Sequence, residues 1–361
     1  MSSFQEKINS SGTTPSSGSE SAKVEAPWYI GVWNGIILPP TILISVLGSI
    51  LIIWVMPRKS VSATASVKIY YLVMAVGDMV ISISLNGIVG FLSDGLYYVS
   101  NGRLSYRLDQ MSNGWCKFWR MMWFGGANIS DWAIVVFAVE RTLAIWYPLR
   151  ANSWFTAKRA ILFNFLVVLP ITTYNCSLTA IVFEVDVSAA SPSGFVCKAK
   201  PEYGMFYNLF WWPNPTFLLM GHTVIIIIAN AFLVYKLYIS REERSSLSSA
   251  KLTTTGAPSA KEINAAITLL ILTGAHIVGH FPSGVLFQLY YALDALSPAN
   301  KANYLTLMRV IRTWADFTQL TICIPHSTNF IVFFCRMPSF RAQFVPTKWA
   351  SHKHSLSTPK L

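Results

Sequence analysis

Charge is scarce in this 361-residue chain: Asp, Glu, Lys and Arg together make up 12%, about half the share usual in a soluble globular domain. The common catalytic signatures are missing too. There is no glycine-rich phosphate loop, no Gly-x-Ser-x-Gly elbow, no His-Glu-x-x-His helix and no Cys-x-x-Cys pair, so no enzymatic reading has a motif behind it. The Ser-, Gly- and Thr-rich first 28 residues lack the apolar run of a cleavable signal peptide, and the first hydrophobic stretch is expected to act as its own insertion signal.

Hydrophobic residues reach 53% of the chain. They form seven runs of membrane-crossing length, at about 30–56, 68–92, 116–147, 159–183, 205–239, 263–293 and 304–335. A single soluble core cannot hold so many apolar helices, and the isolated polar residues within them need shielding by neighbouring helices. The expected fold is an all-α membrane protein, a seven-transmembrane helix bundle over 29–336, between an extracellular disordered tail (1–28) and a cytoplasmic one (within 337–361). With the N-terminus outside, the inner segments hold 17 of the 28 Lys and Arg and only four of the acids, as the positive-inside rule demands. The net charge of +12 is therefore a sign of topology and of attraction to inner-leaflet lipid, not a nucleic-acid footprint.

Of five cysteines, only Cys116 and Cys197 fall in expected outer segments, where an oxidising environment favours a bridge between them. Cys176 and Cys323 read as small buried hydrophobes. Cys335, at the inner end of span 7, is either a palmitoylation site or a free buried thiol. Asn9-Ser10-Ser11 is a glycosylation sequon on the outer tail; Asn128-Ile129-Ser130 matches the same pattern but lies inside span 3. The Ser- and Thr-rich stretch 240–262 reads as a flexible inner loop open to kinases.

Cys116 and Arg141 stand 25 positions apart on span 3, roughly 37 Å of helix, so an outer cysteine and the inner Glu140-Arg141 pair mark the two ends of one crossing. Around that pair runs Glu140-Arg141-Thr142, then Ala144-Ile145-Trp146-Tyr147-Pro148-Leu149-Arg150. Span 2 carries Leu72-Val73-Met74-Ala75-Val76-Gly77-Asp78, and span 7 ends in Asn329-Phe330-Ile331-Val332-Phe333, then Phe340-Arg341. In this order and spacing the strings resemble the rhodopsin-like (class A) G-protein-coupled receptors over about 30–345, as a divergent member similar to the invertebrate neuropeptide-receptor branch.

The resemblance implies a plasma-membrane receptor, not an enzyme, with a short amphipathic eighth helix after span 7. Its partners would be a heterotrimeric G protein, an extracellular peptide or small-molecule ligand, membrane lipid, arrestin and receptor kinases. Glu140 and Arg141 would form the resting switch, with Asn329 and Phe333 in the coupling end. Asp78, Ser130 and Asn329 hold the positions that in the family surround a sodium ion; a protonated, hydrogen-bonded Asp78 without an ion is the alternative. Several positions depart from the family's pattern. Ser49 follows Gly48 where an asparagine is usual, Phe330 and Phe333 replace the proline and tyrosine of NPxxY, with Pro325 one turn earlier to supply the kink instead, and His280 stands in the place of the CWxP tryptophan.

Ligand class is constrained by two absences. The aspartate of amine receptors, 18 residues before the arginine, is Trp123 here, and the retinal lysine of opsins is Cys323. The outer half instead offers Trp123, Trp211, Trp212, His280, Phe287, Gln288, Asp316 and Gln319, an aromatic and amide-rich set suited to a peptide. A chemosensory receptor of the same fold and a multi-pass transporter are the rival readings; the transporter would need a charged relay, which Asp78 and Asp131 alone do not make. His276 and His280 lie four apart on span 6, with His222 in span 5 and His326 in span 7. An internal proton-sensitive or metal-binding cluster is the alternative, but they are read as separate histidines satisfied by neighbouring carbonyls, and no metal centre is expected.

Overall fold

The computed structural model describes residues 28–187, 195–203, 220–247, 260–294 and 303–344. Six helices within them are long and apolar enough to cross a membrane. They are α1 (Trp28–Val55), α2 (Ala65–Val99), α3 (Asn113–Trp146) and α4 (Ala157–Val182), then α5 (Gly221–Leu247) and α6 (Ala260–Asp294). Their sidedness is reversed relative to a water-soluble bundle. On α1, Leu43, Leu47 and Ile50 point outward while Ser45, Gly48 and Ser49 are buried, an arrangement that suits hydrocarbon outside and polar contacts between helices.

The seventh crossing is made of two helices, α7 (Leu305–Leu320) and α8 (Cys323–Arg336), rather than the single run 304–335 expected from hydropathy. Pro325 is the third residue of α8, and in an unbroken helix its ring would strike the carbonyl of Thr321. That carbonyl instead accepts from the Ile324 amide at 3.0 Å, and the Thr321 hydroxyl donates to the Thr318 carbonyl at 2.6 Å. Arg309, Arg312 and Asp316 all fall on α7, which keeps it less apolar than the other six. Two further boundaries differ from expectation. The stretch read as loop from 240 is helical to Leu247, and 248–259 lie outside the described residues. After α8 the chain makes one short helix, Pro338–Arg341, anchored by buried Phe340 against Phe330 and Phe344; an amphipathic helix beyond it falls outside the described part. Cys335 is exposed, which removes the reading of it as a buried thiol.

At one end of the bundle a two-stranded antiparallel hairpin, β1 (Phe183–Val187) with β2 (Phe195–Ala199), pairs Val185 with Cys197. The disulfide Cys116–Cys197, with Cα atoms 5.5 Å apart, ties it to the first turn of α3. That turn is capped by Ser112, whose hydroxyl accepts from the Trp115 amide at 3.2 Å, and Asn113 Oδ1 accepts from the Val185 amide at 2.7 Å. Lys198 donates to Asp186 across the hairpin at 2.7 Å and holds its carboxyl below the usual carboxylate range.

α3 is the central strut, packed against α2, α4 and α5. Its approach to α2 is set by two glycines. A β-carbon on Gly77 would lie 2.6 Å from the Ser130 amide nitrogen, and one on Gly126 would lie 2.7 Å from the Ile81 amide nitrogen. Both obstacles are backbone and cannot rotate away. Gly126→Val should therefore force α2 and α3 apart, at a cost of at least about 1–3 kcal/mol, and lower the melting temperature and surface expression. Gly274→Ala, where the added carbon meets nothing within 4 Å, should be tolerated. Equal thermal stability of the two variants in detergent would show that the glycine contact does not set the helix spacing.

Candidate functional site

At the end of α3 away from the disulfide, Glu140 and Arg141 are both buried and form an ion pair through Glu140 Oε1 and Arg141 Nη2. α2 completes the arrangement with two residues that sequence reading did not single out. Tyr70 donates its hydroxyl to Glu140 Oε2 at 2.7 Å, and Ser66 Oγ accepts from Arg141 Nη2 at 3.3 Å. Their spacing of four on one face of α2 was the available signal. The guanidinium carbon sits 5.8 Å from the Phe137 ring centre, and Arg141 Nε makes no hydrogen bond to any described group. Thr142 reaches α5, donating to the Ala229 carbonyl at 3.1 Å. Phe333, fully buried, lies 4.2 Å from Tyr71 between ring centres and packs without offering a hydroxyl.

Midway along the bundle, Asp78 is wholly buried. It accepts from Ser130 Oγ at 2.6 Å and from Asn329 Nδ2, and its Oδ1 lies 2.9 Å from His326 Nδ1. The knot extends to α1 through Ser45, whose hydroxyl lies 2.7 Å from Ser82 Oγ and 3.1 Å from the His326 carbonyl. Ser45 thus links α1 to this centre by these bonds, whereas the sequence directed attention to Ser49. Phe330 is accommodated because Gly48 has no side chain: a β-carbon there would lie 2.5 Å from Phe330 Cβ. The residues present do not fit a sodium ion. Three donors, one of them the His326 imidazole, already occupy the carboxylate, and an imidazole nitrogen is a poor neighbour for a hard cation that takes oxygen ligands.

Next to this knot the histidines are clustered, not separate as the sequence suggested. His276 and His280 stack with ring centres 4.2 Å apart, His222 lies 4.9 Å from His276, and His326 lies 5.5 Å from His280. Asp131 faces them, its Oδ1 3.9 Å from His276 Nδ1. The signal was present in the i, i+4 pair on α6, but nothing in the sequence placed α5 and α3 against it.

Towards the disulfide end, Trp123 stacks on Phe124 at 4.8 Å, and the Arg120 guanidinium lies 5.0 Å from its ring and 5.4 Å from Phe183. Arg120, also unremarked in the sequence, donates to the Cys197 carbonyl at 3.5 Å and stands 3.9 Å from Asp109. His280 is not part of this outer layer. It lies eight residues before Gln288 on α6, roughly 12 Å along the axis, and belongs to the buried histidines. Gln288 is half-buried. Trp211 and Trp212 lie outside the described residues, as do the side chains of Phe287, Asp316 and Gln319.

The family model for the 7 transmembrane receptor (rhodopsin family) matches residues 48–329. No curated protein matches the chain.

Because three donors already hold Asp78, exchanging potassium for sodium should leave the melting temperature of the purified protein unchanged. Asp78→Asn turns one acceptor into a donor facing Ser130, Asn329 and His326, and should destabilise the fold by about 1–3 kcal/mol. A sodium-specific stabilisation that Asp78→Asn abolishes would show that an ion displaces these donors.

Proposed function

Because the chain belongs to the rhodopsin family of seven-transmembrane receptors, we propose that it sits in the plasma membrane with its N-terminus outside, binds an extracellular peptide and promotes nucleotide exchange on a heterotrimeric G protein. The observation that carries this reading is the buried Glu140–Arg141 pair with Tyr70 and Ser66 closed around it. An arginine held at the rim of the bundle by a neighbouring acid is a two-state element. While Glu140 and Ser66 hold it, the guanidinium turns inward. When α6 moves away from α3, Arg141 is free to meet backbone carbonyls of an inserted helix of the G protein, and its always-charged fork suits that task. The receptor catalyses no reaction on its ligand. It shifts a population, and the ligand contributes only through its differential affinity for the two arrangements.

The peptide reading is supported by the layer beneath the hairpin. Trp123 occupies the level at which amine receptors of the family carry an acid, and Arg120 lies over it, with Phe183 on the guanidinium in turn. Aromatic faces with one cation suit apolar side chains and backbone carbonyls, and the Arg120 guanidinium already lies over the Trp123 ring and would repel a small cationic amine. The disulfide holds the hairpin over this layer, so ligand contact and α3 are mechanically joined.

Arg141→Ala is expected to preserve expression and ligand binding while abolishing ligand-stimulated GTPγS uptake by G protein in isolated membranes. Glu140→Gln and Tyr70→Phe should raise basal uptake, since each loosens the resting arrangement. Tyr70→Phe removes one hydrogen bond to a charged group, about 1.5–3 kcal/mol, or roughly a tenfold or larger shift in the resting-to-active ratio. Normal uptake by Arg141→Ala at matched expression would sink the proposed coupling mechanism.

A further inference from the structure

Four side chains from three helices converge where this family packs apolar residues. Asp131 of α3, His222 of α5, and His276 and His280 of α6 each offer one ligand atom, and those atoms all lie within 4.8 Å of one another. All four residues are buried. Asp131 Oδ1, His276 Nε2 and both ring nitrogens of His280 make no hydrogen bond to any described group. Buried polar atoms without partners are costly and rare, and four on adjoining side chains need a common explanation. Three imidazoles and one carboxylate are the ligand set of tetrahedral zinc centres. We propose that Asp131, His222, His276 and His280 bind one divalent transition ion, zinc foremost, which fastens α3, α5 and α6 together.

Several features of the chemistry agree. In a tetrahedral site with metal–nitrogen distances of about 2.0–2.1 Å, ligand atoms stand roughly 3.3 Å apart, so the present spread asks for a contraction of about 1.5 Å at most. Side-chain rotation can supply that without moving a helix. Imidazole donors favour zinc, copper and nickel over calcium or magnesium. A divalent ion also gives the Asp131 carboxylate the counter-charge that an apolar bundle otherwise denies it. His326, although 5.5 Å from His280 between ring centres, is engaged with Asp78 and stays outside the ligand set. The consequence for signalling rests on the proposed function: an ion that joins α6 to α3 opposes their separation and stabilises the resting receptor.

The test uses full-length protein purified without a polyhistidine tag, stripped with chelator and titrated with zinc chloride or cobalt chloride. Expected are one tightly held ion per chain, the intense visible bands of tetrahedral cobalt, and a zinc-dependent rise in melting temperature. Asp131→Asn and His276→Phe should each weaken zinc binding by at least roughly 10- to 100-fold, the loss seen even for outer partners of a metal ligand. Replacing His352 and His354 of the C-terminal tail should change nothing at this site. Weak octahedral cobalt bands, sub-stoichiometric binding, or full retention of the ion by both cluster variants would overturn the proposal. If a variant fails to fold, the cobalt spectrum and melting shift of the parent still decide. Basal and stimulated GTPγS uptake should fall as zinc is added. A tetrahedral cobalt spectrum from protein that drives no nucleotide exchange would count against the receptor mechanism and leave the metal site standing.

Discussion

A carboxylate deep inside an apolar bundle has no water to turn to, and the centre of this protein is arranged around that constraint. Asp78 would be ruinous alone. Ser130 from α3 and His326 and Asn329 from α8 all meet it, and Ser45 of α1 joins through Ser82 and the His326 carbonyl. One acid thereby fixes the mutual positions of four helices. Apolar packing between helices is poor at selecting one register, because lipid tails compete for the same surfaces. A buried acid with several required partners selects far more sharply. The glycine contact between α2 and α3 serves the same centre, since it brings Ser130 within reach of Asp78.

The inner rim follows the same rule with the opposite charge. Arg141 cannot lose its proton and is nearly as buried as Asp78, so its surroundings must supply an anion and acceptors. Glu140 provides the anion from the same helix, and α2 steadies both residues through Tyr70 and Ser66. The difference lies in location. Asp78 is closed in on every side, whereas Arg141 lies at the bundle's edge with one donor still unbonded. The first arrangement is closed and the second keeps a donor at the edge, which is the asymmetry that the proposed switch would use.

Much of this was legible in the sequence, for identifiable reasons. The spans announce themselves by length and apolarity, because a bilayer imposes both. The disulfide follows from which cysteines face outward, and Arg141 and Asp78 stand out because charge within a membrane span is rare enough to need explaining. What escaped were partners without a signature of their own. Tyr70 and Ser66 are ordinary residues of α2 until α3 is placed beside them, and Arg120 passes for a rim cation until Phe183 folds over it. The break in the seventh span was signalled by Pro325, the residue expected to kink it, although hydropathy alone averages across that position. The histidines were misjudged because the sequence shows only the pair on α6, while His222 and Asp131 arrive through tertiary packing.

The departures from the family's pattern make sense as a set when they are seen in place. A histidine where a tryptophan is usual would be a lone polar group in the core, yet His280 is stacked on His276 and adjoins His326. Asp131 would be a second isolated acid within α3, yet His276 lies against it. Phe330 lacks the proline's kink, yet Pro325 breaks the span one turn earlier and Gly48 makes room for the ring. These changes adjoin one another in space, which is where the effects of substitutions cease to add. The polar line that results runs from Asp78 through His326, His280 and His276 to Asp131, crossing from α2 through α8 and α6 to α3. Any displacement of α6 must disturb it. Under the proposed switching mechanism, motion of α6 would therefore be felt by these polar groups, and the energy separating the two arrangements would depend on how the unpartnered imidazole nitrogens are satisfied.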